Sequence, residues 1–291
     1  MKLNSKGLQV VKSDRTLYKY VILKQLGAGG FGVVFQAAIV DMKHQVALKR
    51  FKPRPGNTQA ALQDWAREST THDSLSHPNI LHIFDAFEDD GYLYIATELA
   101  TASLDKCTPP LGWDESEVMR AGMQIASALH YIHTAWGAAG PLIHRDVTPN
   151  NVFYFQGDST FKLGDFGIAK QLDSEYDVAL TQIANWGFVA PELVRDGFSV
   201  PQSDLFQLGL VLYYMSQGDP AISRTLPPND QVAAIIGGAA HKAAKQGIFL
   251  SDKLQECVKK LLLRDRAKRY HSAKEVFNDL RLAYRESLQS Q

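Results

Sequence analysis

The first hundred residues alternate short apolar runs with turn-forming residues, a pattern typical of β-strands. Apolar runs at 20–23 and 33–37 flank a glycine-rich turn, and this arrangement predicts an antiparallel hairpin. Further elements are predicted in the same part of the chain: strands at 46–51, 81–87 and 92–97 and a helix at 58–74. This part of the chain is therefore predicted to form a small sheet with one main helix.

After residue 99 the apolar positions change to a helical spacing. Residues 115–133 place apolar side chains every three or four positions, and 205–215 and 254–263 do the same. Gly237-Gly238-Ala239-Ala240 shows no clear period. We therefore predict an α+β fold with these parts: an N-terminal extension at 1–17, a sheet-rich lobe at 18–99, a larger helical lobe at 100–285 and a tail at 286–291.

Composition narrows the class of protein. The 291 residues are 45% hydrophobic, and 31 basic residues balance 31 acidic ones, so the charge favours neither nucleic acid nor an anionic membrane as a partner. Cys107 and Cys257 lack the spacing of a disulfide framework or a zinc site. The first residues lack the apolar run of a signal peptide, so none is expected, and no apolar run reaches the roughly 18 residues of a membrane span. A soluble, cytoplasmic protein is expected.

The glycine-rich turn has the chemistry of a phosphate-binding loop. Its residues, Gly27-Ala28-Gly29-Gly30-Phe31-Gly32, let backbone amides approach phosphate oxygens without obstruction by side chains. A tight hairpin or a dinucleotide-binding fold gives the same spacing, but the dinucleotide fold requires a helix after the turn. Here Val33-Val34-Phe35 continues as a strand, which argues against that alternative. Lys49 follows at the end of the next predicted strand.

Three later segments complete a pattern: His144-Arg145-Asp146 with Asn151, then Asp165-Phe166-Gly167, then Ala190-Pro191-Glu192. Each aspartate alone is equally well explained as a cap of a turn. In this order, after the glycine loop, the segments resemble the eukaryotic-like serine/threonine protein kinases over nearly the whole chain. The resemblance implies a bilobal protein-kinase-like fold, with a small antiparallel-sheet lobe and a larger helical lobe. It also implies ATP and Mg²⁺ (with Mn²⁺ as a substitute) as cofactors.

The resemblance also implies roles for single residues. Lys49 is expected to hold the α- and β-phosphates of ATP, steadied by Glu68. Asp146 is expected to orient the acceptor hydroxyl and take its proton, while Asn151 and Asp165 bind the metal. The remaining ATP-binding residues are the glycine loop (Gly27, Ala28, Gly29, Gly30, Phe31, Gly32), the adenine-contacting Val34, Ala47 and Phe153, the gatekeeper Thr97, and the backbone of Glu98 and Ala100.

Structural and regulatory residues follow from the same resemblance. Glu192 is expected to form a buried ion pair with Arg269, and Asp204 to support the catalytic loop. Thr181 lies where the family carries its activating phosphothreonine, and Arg145 and Lys170 are the cations expected around that phosphate. Autophosphorylation on the activation segment and a regulatory protein partner are expected from this arrangement.

Two positions depart from the family pattern. Thr148 stands where members acting on Ser/Thr usually carry lysine, and Asn185 stands where they usually carry threonine. A hydrogen bond between Thr148 and Asn185 is our hypothesis for the replacement. Loss of the lysine also occurs in tyrosine-directed members, but Pro149-Asn150-Asn151 keeps the serine/threonine form. The alternatives are a pseudokinase that binds nucleotide but turns over poorly, and a small-molecule kinase of related fold.

Overall fold

The computed structural model describes residues 2–3, 8–29, 32–40, 42, 44–51, 75–134, 140–166, 170–171, 186–247, 249 and 251–289. The chain divides into two compact units. The first unit comprises Met1–Ser76, Ile80–Thr101 and Asp165–Ile168, and the second comprises His77–Asn79, Ala102–Gly164 and Ala169–Gln291. The first contains the main sheet and the second most of the helices, so the predicted α+β class is confirmed.

The first unit is built on a seven-stranded antiparallel sheet. Its strands are β1 (Lys2–Leu3), β2 (Gln9–Lys12), β3 (Lys19–Ala28), β4 (Gly32–Ile39), β5 (Gln45–Phe51), β6 (Ile83–Asp89) and β7 (Tyr92–Glu98). The spatial order is β1-β2-β3-β4-β5-β7-β6. The five strands predicted from the alternating pattern all form, with bounds that differ by a few residues. The predicted helix at 58–74 lies outside the described residues.

The segment 1–17, predicted as an extension, contributes to this sheet. Strand β2 pairs antiparallel with β3, with Val10 opposite Val21. Val11 is 2% exposed and packs in the same apolar cluster as Tyr20 and Ile39. One face of β2 is buried in this way, so the sheet of the first unit begins before residue 18. The predicted boundary between residues 17 and 18 therefore falls inside the sheet.

A buried aromatic stack fills the core of the first unit. Tyr20 lies 5.2 Å from Phe87 and Phe87 lies 5.2 Å from Tyr94, all three rings nearly parallel. The Tyr20 hydroxyl donates to Asp85 Oδ2 at 2.9 Å, and the Thr16 hydroxyl donates to the same oxygen at 2.6 Å. Burial, with the nearby Asp85 carboxylate, raises the pKa of the Tyr20 phenol. These contacts fix the sheet whose other face carries the candidate site.

The second unit is mainly helical. Its helices are α1 (Leu104–Cys107), α2 (Glu115–Thr134), α3 (Pro191–Asp196), α4 (Pro201–Gln217), α5 (Pro228–Ile236), α6 (Ala239–Gln246), α7 (Asp252–Leu261) and α8 (Ala273–Gln289). Its short strands are β8 (Ala102–Ser103), β9 (Leu142–Ile143), β10 (Val152–Phe155), β11 (Thr160–Leu163) and β12 (Lys170–Gln171). Strand β10 pairs with β8 and β11, and β9 pairs with β12.

Helix α4 is buried along most of its length and forms the centre of this unit. It begins with Pro201, a favoured first residue, and ends at Gln217, followed by Gly218 with a left-handed φ of 77°. A Cβ at Gly209 would lie 2.7 Å from the Cβ of Leu261 on α7. Only glycine therefore lets the two helices approach so closely.

Two other expectations differ from the structure. The tail predicted at 286–291 is helical as far as Gln289, because α8 continues through it. In the stretch 237–240, Gly237 and Gly238 join α5 to α6, which begins at Ala239, and Gly238 has a left-handed φ of 73° that interrupts the helix. Among the helices that the structure describes, none combines the length and apolar character required to cross a membrane.

Candidate functional site

The glycine turn joins β3 and β4 in the first unit. Gly27 lies opposite Val34, Ala28 lies opposite Val33, and the Gly29 N–H donates to the Gly32 carbonyl at 2.9 Å. A Cβ at Gly32 would overlap the carbonyl oxygen of Arg50, so this position requires glycine. Gly30 and Phe31 lie outside the described residues.

Beyond the turn, four predicted site residues share one face of the sheet. Val34 lies opposite Lys49, and Ala47, two residues before Lys49, lies opposite Thr97. Directly opposed residues and residues two apart on a strand project from the same face. All four are half-buried, whereas Val46 and the other residues of the opposite face pack in the core. The half-exposed face therefore carries both the apolar residues predicted to contact adenine and the lysine predicted to bind phosphate.

The last strand of this face leads into the segment predicted to contact the adenine edge. The Glu98 N–H donates to the His82 carbonyl at 3.1 Å, and the Thr97 hydroxyl donates to the Glu98 carbonyl at 3.2 Å. These bonds hold the end of β7 in register beside Ala100. Phe153, the third predicted adenine contact, lies in β10 of the second unit.

Lys49 and Asp165 meet in the first unit although 116 positions separate them. The Lys49 ammonium lies 3.4 Å from both carboxylate oxygens of Asp165, and the Lys49 side chain is 17% exposed. Asp165 has a left-handed φ of 59°, an unusual conformation for a residue other than glycine. A loose ion pair of this length brings the predicted phosphate-binding cation beside the predicted metal ligand. Glu68, the predicted partner of Lys49, lies outside the described residues.

In the second unit, Asn151 holds the carboxylate of Asp146. The Asn151 Nδ2 donates to Asp146 Oδ2 at 2.7 Å and to the Asp146 carbonyl at 3.0 Å. Since an amide has one donor nitrogen and one acceptor oxygen, this arrangement leaves Oδ1 of Asn151 as the acceptor for a cation. Carboxylate and amide oxygens are the ligands that Mg²⁺ prefers, so the chemistry of Asn151 and Asp165 fits that metal.

Asp204 on α4 supports the loop that contains His144, Arg145 and Asp146 from within the protein core. Its carboxylate accepts from the His144 N–H at 2.9 Å and from the Arg145 N–H at 2.8 Å, and it is fully buried. His133 Nε2 lies 2.8 Å from the same carboxylate, a contact that the motif pattern did not predict. Arg145 has a left-handed φ of 71°, which such a network can maintain.

Further bonds connect this loop to the strand before Asp165. The Gly164 N–H donates to the Asn151 carbonyl at 2.9 Å. His144 Nδ1 accepts from the Asp146 N–H at 3.3 Å, so Nε2 carries the ring proton and donates to the Gly164 carbonyl at 3.2 Å. The position of Asp146 is thus connected to the residue that precedes Asp165 in the chain.

One buried glutamine contacts the same loop and was not singled out from the sequence. Gln207 is 3% exposed and lies three residues after Asp204 on α4. Its side chain bonds to backbone groups of Arg145, Val147 and Phe188. A polar residue in an apolar helix, spaced to share a face with Asp204, is the sequence signal that could have identified it.

Glu192 and Arg269 form a two-bond ion pair in the interior of the second unit. The guanidinium donates to the two carboxylate oxygens at 2.8 and 2.9 Å, and the two side chains are 1% and 0% exposed. Ser203 also donates to Glu192. Burial alone would raise the pKa of Glu192, but hydrogen bonding and attraction by Arg269 outweigh it and lower the pKa.

Some predicted residues cannot be placed. Thr181 and Asn185 lie outside the described residues, so the hypothesis of a Thr148–Asn185 hydrogen bond stays a prediction. Lys170 lies in β12, which pairs with β9. Thr148 is 3% exposed, and its carbonyl accepts from the Asn151 N–H at 3.0 Å. The Thr148 backbone thus takes part in holding the metal-binding candidate.

Known proteins resemble this chain over most of its length. A family model described as the protein kinase domain matches residues 20–280. Serine/threonine-protein kinase 36 of Pongo abelii is 32% identical over 209 residues, which cover 71% of this chain and 15% of that protein. The L-type lectin-domain containing receptor kinase V.7 of Arabidopsis thaliana is 29% identical over 216 residues, covering 71% of this chain and 32% of that protein.

A bacterial relative matches more of the chain. A protein of Clostridium perfringens, named as a serine/threonine-protein kinase, is 29% identical over 267 residues, covering 90% of this chain. The match covers 38% of that protein. The chain therefore spans between 15% and 38% of the length of these relatives.

Proposed function

Because the chain belongs to the serine/threonine protein kinase family, we propose that it transfers the γ-phosphoryl group of ATP to serine or threonine hydroxyls of proteins. The observation that carries the proposal is the Asp146 carboxylate, held at 2.7 Å by the Asn151 amide in a loop supported by Asp204. This geometry fixes one carboxylate oxygen and with it the orientation of the Asp146 side chain, which is the group proposed to accept the proton.

Some of the proposed site residues transfer a proton, and the others neutralise the charge of the phosphates. Asp146 orients the acceptor hydroxyl and takes its proton as the oxygen attacks. The Lys49 ammonium neutralises phosphate charge on the half-exposed face of the sheet. Asp165 and Asn151 would hold Mg²⁺, which supplies further neutralisation of the phosphate oxygens. Lys49 lies 3.4 Å from Asp165, which supports the assignment of phosphate and metal to the same place.

Turnover by the wild-type chain and by Asp146→Asn tests the proposal. The amide cannot accept the hydroxyl proton, so we expect kcat to fall by about 10²–10⁴-fold. The variant should still bind ATP and Mg²⁺, because Asp146 is not among the proposed phosphate or metal ligands. Phosphate incorporation into a mixed peptide library measures turnover, and the rise in melting temperature with ATP and Mg²⁺ measures binding.

The alternative is a protein that binds nucleotide without useful turnover. Thr148 favours it, because a lysine there would place a cation near the transferred group, and charge neutralisation is a large part of catalysis. Equal, negligible incorporation by wild type and Asp146→Asn, with the melting shift retained in both, would establish this alternative. Phosphotyrosine as the product would instead correct the acceptor class.

We also propose that Thr181 is phosphorylated by the protein itself. A phosphate adds about 1.5–2 negative charges at neutral pH, which would attract the cations Arg145 and Lys170. Intact-mass measurement after incubation with ATP and Mg²⁺ should show added phosphate in the wild type and one phosphate fewer in Thr181→Ala. An equal gain in mass in the two proteins, or no gain in the wild type, would contradict the proposal. The cytoplasmic location and the regulatory partner stay predictions.

A further inference from the structure

The side chain of Gln207 bonds to both peptide groups that flank Asp146. Its Oε1 accepts from the Val147 N–H at 3.1 Å, in the peptide group that follows Asp146. Its Nε2 donates to the Arg145 carbonyl at 3.0 Å, in the peptide group that precedes Asp146. One side chain therefore restrains the backbone on either side of the residue proposed to take the proton.

The same amide reaches a third backbone group in another segment. Nε2 also donates to the Phe188 carbonyl at 3.0 Å. Phe188 ends the short 3-10 helix Trp186–Phe188, and one residue, Val189, separates it from Ala190-Pro191-Glu192. The carboxamide has one acceptor oxygen and two N–H donors, and these three bonds use all of them.

Burial makes these bonds costly to lose. Gln207 is 3% exposed, and Val147 and Phe188 are fully or almost fully buried. Water therefore has little access to replace a missing partner, and an unsatisfied buried amide or carbonyl favours rearrangement of the loop. Asp204, one turn earlier on α4, accepts from the Arg145 N–H, whereas Gln207 donates to the Arg145 carbonyl.

We infer that Gln207 is a positioning residue that couples the catalytic loop to the end of the activation segment. One rigid amide group bonds to the backbone on either side of Asp146 and to Phe188. The Asp146 carboxylate therefore keeps its position only while residues 186–188 keep their positions. This role rests on the proposed kinase activity and adds to it a connection between Asp146 and the segment that ends at Glu192. The motif pattern assigns no function to this position.

Two variants separate the bonds. Gln207→Met has a similar length and loses all three, whereas Gln207→Glu keeps an acceptor for the Val147 N–H and loses both donors. Backbone hydrogen exchange should quicken near Val147 mainly in Gln207→Met, and within 186–190 in both. Since small misplacement of a reacting group costs up to about 10²-fold, kcat should fall by about 10–100-fold in both, with KM for ATP unchanged.

The control is Gln231→Ala. Gln231 is also buried in a helix, and its Nε2 donates to the Leu226 carbonyl at 2.6 Å. We expect wild-type kcat and wild-type exchange near Val147 from this variant. All measurements are made on the full chain at a temperature where circular dichroism shows every variant folded.

The outcomes decide between positioning and simple packing. Gln207→Met with faster exchange near Val147 but wild-type kcat would overturn the inference, as would exchange unchanged in 186–190. A kcat loss matched in Gln231→Ala would indicate general loosening and also overturn it. If the wild type phosphorylates nothing, the proposed function fails, and the exchange measurements alone then decide whether Gln207 joins the two segments.

Discussion

The buried pair of Glu192 and Arg269 is a single contact on which the stability of the second unit depends. Both side chains are essentially inaccessible, and the Arg269 guanidinium also donates to the Leu263 carbonyl at 2.7 Å. Glu192→Gln removes the charge that compensates the guanidinium, so we expect a loss of about 3–5 kcal/mol in the free energy of unfolding. Urea denaturation at pH 7 measures this loss.

The matched control lies on the same helix. Asp196 on α3 pairs with Arg195 at 2.7 Å, but that Arg195 side chain is 45% exposed. Asp196→Asn should cause no measurable loss, because exposed pairs contribute little. Equal losses in the two variants would mean that burial does not set the strength of the Glu192–Arg269 pair.

The same carboxyl also contributes a pH dependence. Its pKa in the folded protein lies below the reference value of 4.5, so its stabilising contribution is complete above that pH. The contribution is lost as the pH falls through the folded pKa, because the unfolded chain binds the proton first. Glu192→Gln should therefore show a weaker loss of stability than the wild type between pH 4.5 and more acidic conditions.

At the level of elements, the sequence pattern did not identify strand β2, and its residues were predicted to belong to an N-terminal extension. Val11 is 2% exposed and belongs to the apolar cluster of Tyr20 and Ile39, whereas Lys12 beside it is exposed. Val11→Ala should lower the free energy of unfolding by about 1–3 kcal/mol through lost burial and a cavity. Lys12→Ala is the control and should change it little. If the two variants unfold at the same urea concentration, β2 is a dispensable addition.

The sequence predicted elements best where a periodic face is long. The helix expected at 115–133 forms as Glu115–Thr134, since nearly every third or fourth residue is apolar and buried. Strand β2 has only four residues, too few for an alternating pattern to stand out. Helices α5 and α6 were missed because their alanines give a weak apolar face and two glycines separate the helices, although Pro228 marks a helix start.

The motif pattern predicts which residues form the candidate site, but not how they are arranged. The motif pattern named Lys49, Asp146, Asn151 and Asp165, but no spacing rule could show that Lys49 lies 3.4 Å from Asp165 across 116 positions. Gln207 escaped for a different reason. Its spacing from Asp204 on an apolar helix is a sequence signal, but its partners are backbone groups, which every sequence possesses, so no residue pattern identifies those partners.

For the whole molecule, the division of the chain differs from the boundary expected near residue 99. Residues 77–79 pack with the second unit, although strands of the first unit precede and follow them. Asn79 Nδ2 donates to the Phe161 carbonyl at 3.1 Å, and the Asn79 carbonyl accepts from the Leu163 N–H at 2.9 Å. His77 stacks on Tyr131 at 5.3 Å. The segment 77–79 therefore packs as part of the second unit, although it lies before residue 99 in the sequence.

Asn79→Ala tests that assignment. It removes the donor to a buried carbonyl in β11, so we expect the free energy of unfolding to fall by about 1–3 kcal/mol. Hydrogen exchange should quicken at Leu163 more than in β3 and β4, although the substitution precedes residue 99. The control is Asn278→Ala, since Asn278 is exposed on α8. Faster exchange confined to the first unit would contradict the assignment of residues 77–79 to the second, because the Asn79 side chain would then support the sheet instead.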